Sequence, residues 1–234
     1  MLTVSNPKTH KGEALGYLTG ILHLAPSKTV CPNATRGCLA ACLNTAGRGR
    51  TTRVQNARKR KTDLFHTNRD AFMAELDKPI AALVRKAARM NLKPAVRLNG
   101  TSDIAWETIR DASGDTVFDR WPDIQFYDYT KSYDRARAEV TYSWPANYDL
   151  TFSRSEENDA GCEYILRQGG RVAMVAVDMA RAQAWYTRQS GGYWSGTPVT
   201  TGDTHDLTFL HPSGILWLTP KGAAKQDTTG FVLR

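Results

Sequence analysis

The sequence predicts an α/β protein, a single domain over residues 1–234 folded as a partial (βα)6 or TIM-like barrel with a C-terminal β-hairpin. Three observations carry this. Short β-rich runs alternate with helical stretches, which implies parallel strands joined by right-handed crossovers. Nearly every run is followed by a polar cluster, as at the C-terminal rim of a barrel, where chemistry gathers. No glycine-rich dinucleotide fingerprint follows the first run, which disfavours a doubly wound Rossmann sheet.

The first strand is expected at residues 20–24 (GILHL), followed by a cysteine-rich loop at 25–47. Asn68 is expected to cap a helix whose apolar residues Phe72, Leu76, Ile80, Leu83 and Val84 share one face at near-3.6 spacing. Pro79 starts a second helix after Asp77 or kinks a single one, and Asn91 marks the helix end. The second strand, 95–98 (AVRL), leads into Asn99, Gly100, Thr101, Ser102 and Asp103. The third, 124–129 (IQFYDY), leads into Thr130, Lys131 and Ser132. The fourth, 148–152 (YDLTF), leads into Ser153, Arg154, Ser155 and Glu156, and then a helix ending at Gly169 and Gly170. A fifth strand covers 171–177 and a short sixth 198–201. Residues 206–210 (DLTFL), a His-Pro-Ser-Gly turn and 215–218 (ILWL) read as a hairpin.

Composition narrows the class. A hydrophobic content of 41% with 9% aromatics excludes disorder, collagen and coiled coil. No apolar run approaches the ~18–20 residues that span a bilayer, and the N-terminus lacks a secretory pattern. A soluble, cytoplasmic protein with no membrane partner is expected. The net charge of +8 favours polyanionic partners. Its excess concentrates in residues 48–61, which carry Arg48, Arg50, Arg53, Arg58, Lys59, Arg60 and Lys61 without an acid in that group. This stretch is a candidate nucleic-acid contact, against the simpler reading of a solvated helix face.

Three of the four cysteines, Cys31, Cys38 and Cys42, fall within twelve residues as C-x6-C-x3-C. Clustering in a chain with a cytosolic character points to a metal rather than to disulfides. Zinc sites use tight paired knuckles, whereas iron–sulfur clusters accept looser spacing. A [4Fe-4S] cluster, zinc and buried free thiols all remain open. Cys162 is the one cysteine left to complete a four-ligand site; alone it reads as a core residue beside Ile165 and Leu166.

Other strand-end residues form a second constellation. Asp103, Asp128, Lys131 and Glu156 are candidate catalytic groups for proton transfer, with Asp203 a further rim carboxylate. Asn99, Ser102, Ser153 and Ser155 are candidate ligand contacts. The competing reading is that such residues cap the next helix. The histidines His10, His23, His66, His205 and His211 show no metal spacing. Trp106, Tyr127, Tyr129, Trp144, Trp185, Tyr186, Tyr193 and Trp194 suit core burial or base stacking.

A three-cysteine loop after the first strand of a partial barrel resembles radical S-adenosylmethionine enzymes in position. It departs from their common C-x3-C-x2-C spacing, and S-adenosylmethionine as a cofactor rests on position alone. A second resemblance is more specific. The phrases GYLTGILHLAPS, CPNATRGCLAACLNTAGRGR, PAVRLNGTSDIAWE, QFYDYTKS, LTFSRSE and GDTHDLTFLHPSG resemble, in order, the "gene product 88" family of phage proteins. That resemblance implies a phage or prophage origin and action in an infected cell. Together these readings predict an iron–sulfur enzyme acting on nucleic acid or nucleotides. The rival is a protein binding nucleic acid or a host partner, with a purely structural metal site.

Overall fold

The computed structural model describes residues 1–4, 7–142, 144–191 and 196–234. β1 (Leu2–Thr3) and α1 (Pro7–Glu13) precede β2 (Tyr17–Leu22). The cysteine loop follows with the short α2 (Arg36–Ala40), then the long helices α3 (Thr52–Thr67) and α4 (Arg69–Arg89). Strand and helix then alternate: β3 (Lys93–Arg97), α5 (Val117–Arg120), β4 (Gln125–Thr130), α6 (Tyr133–Thr141), β5 (Tyr148–Ser153), α7 (Asp159–Arg167), β6 (Arg171–Ala176) and α8 (Met179–Ser190). β7 (Val199–Thr201), β8 (Gly214–Leu218) and β9 (Val232–Leu233) complete the chain. Tyr193 and Trp194, named above as aromatics, lie outside the described residues.

The fold is a mixed α/β sheet of nine strands in the order β1-β2-β3-β4-β5-β6-β8-β7. Strands β2 through β8 run parallel, and only β1 is antiparallel. Val175 pairs with Leu218 of β8 and also with Val232 of β9. β9 therefore continues the line of β5 beyond its end. Among the described residues no pairing joins β1 to β7, so the sheet is not closed.

Side-chain parity explains the layering. In a strand, alternate residues face opposite sides. Val96, Phe126, Leu150, Val172 and Ile215 pack against the helices in two large apolar clusters. α4 presents Phe72, Leu76, Ile80 and Leu83 to this layer, as the periodicity predicts. It runs unbroken through Pro79, with Asn68 accepting from the Ala71 N–H at 3.0 Å. Asn91 follows the helix in the left-handed conformation, φ 54°, which Asn tolerates better than most residues. The opposite face carries Ala95 and Tyr127 under Leu207, with Tyr17 and Phe209 at its margin.

That last contact corrects the expected hairpin. Residues 206–210 form no strand: Thr208–Leu210 is a 3-10 turn, and Leu207 is buried on the sheet's open face. β8 has both edges occupied, by β6 and β7, both parallel to it. No edge remains for an antiparallel partner.

Gly100 follows β3 where two backbones meet. Its N–H donates to Leu22 O at 3.0 Å. A Cβ there would lie 2.5 Å from that oxygen and 2.7 Å from Ile21 Cγ2. Gly100→Ala is expected to destabilise the fold by about 1–3 kcal/mol through overpacking, read as a lower urea midpoint at unchanged slope. An unmoved midpoint would show that these backbones separate without cost.

Candidate functional site

A cavity of about 230 Å³ opens at the C-terminal ends of the parallel strands. Cys31, Cys38 and Cys42 form one wall; the residues after β3, Lys131 after β4, Ser153 at the end of β5 and Thr219 after β8 form others. The expectation that polar strand ends gather beside the cysteine loop is met for these residues.

Local chemistry shapes the cysteine wall. Thr35 caps α2 by accepting from the Cys38 N–H at 3.2 Å. The Glu156 carboxylate holds the same turn from across the sheet: the Gly37 N–H donates to Oε1 at 2.6 Å and Thr35 Oγ1 to Oε2 at 2.9 Å. Gly37 is required there, because a Cβ would collide with Thr229, Glu156 and Phe231. Cys42 Sγ accepts from the Asn44 N–H at 3.5 Å. Arg58 and Gln55 of α3 then fix the exit of the loop, both donating to Asn44 O, at 2.9 and 2.8 Å. Cys31 Sγ donates to Thr101 O at 3.7 Å, tying the far side of the loop to the residues after β3.

The three cysteines form no disulfide and are partly buried. Burial pushes Cys31 up to about 12, with Asp103, Cys42 and Cys38 adding to the shift. Cys42 is raised chiefly by burial, against a lowering from the Asn44 N–H, Arg58 and Lys131. Burial thus favours the neutral thiol at Cys31 and Cys42. Among the described residues no three His, Cys, Asp or Glu side chains are grouped so as to hold a single metal ion.

Cys162 is not brought to this wall. It is fully buried in the helix layer with Phe152, Ile165 and Val172, its Sγ donating to Asn158 Oδ1 at 3.6 Å. Burial drives its thiol pKa up. The structure thus places Cys162 on the sheet's helical face, where α7 turns it, and not among the residues that line the cavity.

The other predicted residues divide. Asn99, Ser102, Asp103, Lys131 and Ser153 line the cavity, whereas Asp128, Ser155 and Glu156 do not. Asn99 is spent on structure: its Oδ1 accepts from Ser102, Ile104 and Trp106, and its Nδ2 donates to Ile104 O at 2.9 Å. Asp103 accepts from the Lys131 N–H at 2.8 Å and from Arg135 Nη1 at 2.7 Å. Asp128 sits in the helix layer, taking the Asn99 N–H at 2.7 Å and Tyr148 OH at 3.1 Å. Burial pushes it up to about 7, against Arg97 and the Asn99 donor. Ser155 is buried beside the Asn158 turn.

On the cavity's remaining polar wall, sequence reading found Asp203 but missed Arg97, Asp206, Thr219 and Lys221. Arg97 pairs with Asp206 at 3.0 Å and lies 4.6 Å from the centre of the Tyr129 ring. Asp203 takes Lys221 Nζ at 2.5 Å and Thr219 Oγ1 at 2.6 Å. Parity offered a signal: Arg97 and Tyr129 alternate with the buried Val96, Leu98 and Phe126 and so face the other side. Lys131 differs from the other cavity cations. Its Nζ donates to Ser153 Oγ at 2.8 Å, and among the described residues it has no ion pair.

Removing the clamp on the cysteine turn tests its role. Glu156→Ala leaves Gly37 N–H and Thr35 Oγ1 without their acceptor, at a cost of about 1–3 kcal/mol. Cys38 and Cys42 should then react faster with an aromatic disulfide reagent. Unchanged thiol kinetics would mean that the turn holds itself.

Among the described residues no helix is long and apolar enough to cross a membrane. No curated protein and no solved structure matches the chain. The positional likeness to radical S-adenosylmethionine enzymes finds no support in these comparisons. One family, described as Gene product 88, matches residues 1–234, and the chain belongs to that phage family.

Proposed function

We propose that the cavity holds an iron–sulfur cluster of the [4Fe-4S] type on Cys31, Cys38 and Cys42, and that the protein is a cluster-dependent enzyme acting on nucleic acid or nucleotides. The observation that carries this reading is the meeting of three cysteines, none of them in a disulfide, with Lys131, Ser153 and Thr219 around one cavity at the parallel strand ends. The donor set fits, since cysteine thiolates are the usual ligands of such clusters. Three thiols leave one corner without a cysteine from this chain. When bound, the cluster would supply a one-electron couple or a Lewis-acidic iron.

The chain's own residues supply the rest. Arg97 and Lys221 are taken by Asp206 and Asp203, so Lys131 is the cation available to an anionic group on a substrate. Ser153 fixes the position of its ammonium. We read the sheet as the wall of a partial (βα) barrel in one domain, which the sequential strand order supports. Residues 48–61 serve as the contact with substrate phosphates. Free thiols suit the reducing cytoplasm of an infected cell, where we take the protein to act.

Anaerobically purified protein should be brown and contain iron with acid-labile sulfide. Colourless protein with stoichiometric zinc would replace the cluster with a structural metal and favour the rival, a binding protein. Cys38→Ser should lose most of the iron, whereas Cys162→Ala should keep it. Equal loss in both variants would restore a four-cysteine site.

A further inference from the structure

A second concavity, a groove of about 540 Å³, runs between α3, β1 and the chain after β2. It shares no lining residue with the cysteine cavity. Arg53, Ala57, Arg60, Lys61 and Leu64 reach it from one face of α3, at the spacing of a helical stripe. Arg58 and His23 complete its cationic and polar lining.

The groove gathers positive charge that the protein leaves unbalanced. Among the described residues Arg53, Arg58, Arg60 and Lys61 form no ion pair. Glu75 is the single carboxylate in the lining, and it is engaged by Lys78 Nζ at 2.5 Å. Arg58 is only 7% exposed, and its Nε has no partner. His23 Nδ1 is likewise buried and unpartnered. Burial and the neighbouring Arg58 pull Lys61 down to about 8, the mark of a cation crowded without a counter-charge. A solvated helix face would show neither the buried guanidinium nor the crowded lysine. An orphaned buried donor such as the Arg58 Nε–H carries a cost that a bound acceptor removes.

We propose that this groove binds phosphate, with Arg60 and Lys61 as its direct contacts, Arg53 at its rim and Arg58 as the buried cation beneath. Charge-assisted hydrogen bonds to phosphate oxygens are what guanidinium and ammonium groups arranged this way supply. Among the described residues no Trp, Tyr or Phe lines the groove, and the proposal is of phosphate recognition. The same chemistry serves a nucleotide polyphosphate or a nucleic-acid backbone. The inference deepens the reading of residues 48–61 as phosphate contacts and stands whether or not the cavity holds a cluster. It also takes Arg48, Arg50 and Lys59 out of the site, since none of them lines it.

The test compares two doubly substituted proteins that lose the same charge: Arg60→Gln with Lys61→Gln in the groove, and Arg48→Gln with Lys59→Gln outside it. The probes are inorganic triphosphate, by calorimetry, and a labelled oligothymidylate, by anisotropy at low and high salt. The groove variant should bind about tenfold or more weakly, equivalent to losing one charge-assisted hydrogen bond; the control should match the parent. Tight oligonucleotide binding with a steep salt dependence identifies a nucleic-acid backbone. Triphosphate binding that the oligonucleotide does not displace identifies a nucleotide polyphosphate. Absence of binding by either probe at low salt, or equal weakening in both variants, overturns the proposal. Iron content measured on the same samples separates failure here from failure of the cluster reading.

Discussion

The cavity exists because the chain after β3 is held open by side chains that have no hydrogen-bonding capacity to spare. Asn99 places its carbonyl under three donors and its amide on Ile104 O, so the turn closes on itself rather than on the sheet. Arg135, 8% exposed, supports it from α6 by bridging Asp103, Glu107 and Tyr148. A buried guanidinium is tolerated when its donors are satisfied in this way. Burial opposes its charge, and the surrounding oxygens outweigh that, raising its pKa. The position of Lys131 follows, since its backbone N–H is tied to the Asp103 carboxylate that Arg135 also holds.

This economy engages most of the strand-end carboxylates in hydrogen bonds. Asp103, Asp128 and Glu156 each spend their oxygens on backbone N–H groups and neighbouring side chains. They build the walls and leave the cavity's free polarity to Lys131, with Ser153 beside it. Glu156 acts at the longest range in sequence, reaching from the end of β5 to the turn that carries Cys38. Arg154 does the same for the C-terminal segment, donating to Gly230 O and Phe231 O and so setting the Phe231 ring against the cavity.

The strand–helix order was legible in the sequence because buried parallel strands read as short apolar runs, and seven of the nine strands overlap the strands so expected. Asn68, Asn91 and Gly169 were legible as helix punctuation because each does a local job. The hairpin was not: DLTFL and ILWL alternate like paired strands, and only the tertiary contact of Leu207 with Ala95 and Tyr127 decides against pairing. Clustering of Cys31, Cys38 and Cys42 in sequence carried over into space because one loop holds them. Cys162 was assigned by counting, whereas Ile165 and Leu166 beside it already marked an apolar helix face. Strand parity, applied to Val96 against Arg97 and to Phe126 against Tyr129, would have separated cavity residues from core.

α3 is where the two sites meet. Its Arg58 and Gln55 grip Asn44, two residues past Cys42, while Arg60 and Lys61 open onto the groove. Arg58 therefore serves both sides: its guanidinium lowers the Cys42 thiol from one direction and crowds Lys61 from the other. Anion binding in the groove would draw on the same positive charge that favours a thiolate at Cys42. If the groove binds phosphate as proposed, Coulombic coupling to Cys42 follows, because screening is weak in a part-buried setting. Its sign is fixed by the charges alone. Phosphate bound there would make Cys42 harder to ionise, and a negative group on the three thiols would weaken phosphate binding by the same free energy, as linkage requires.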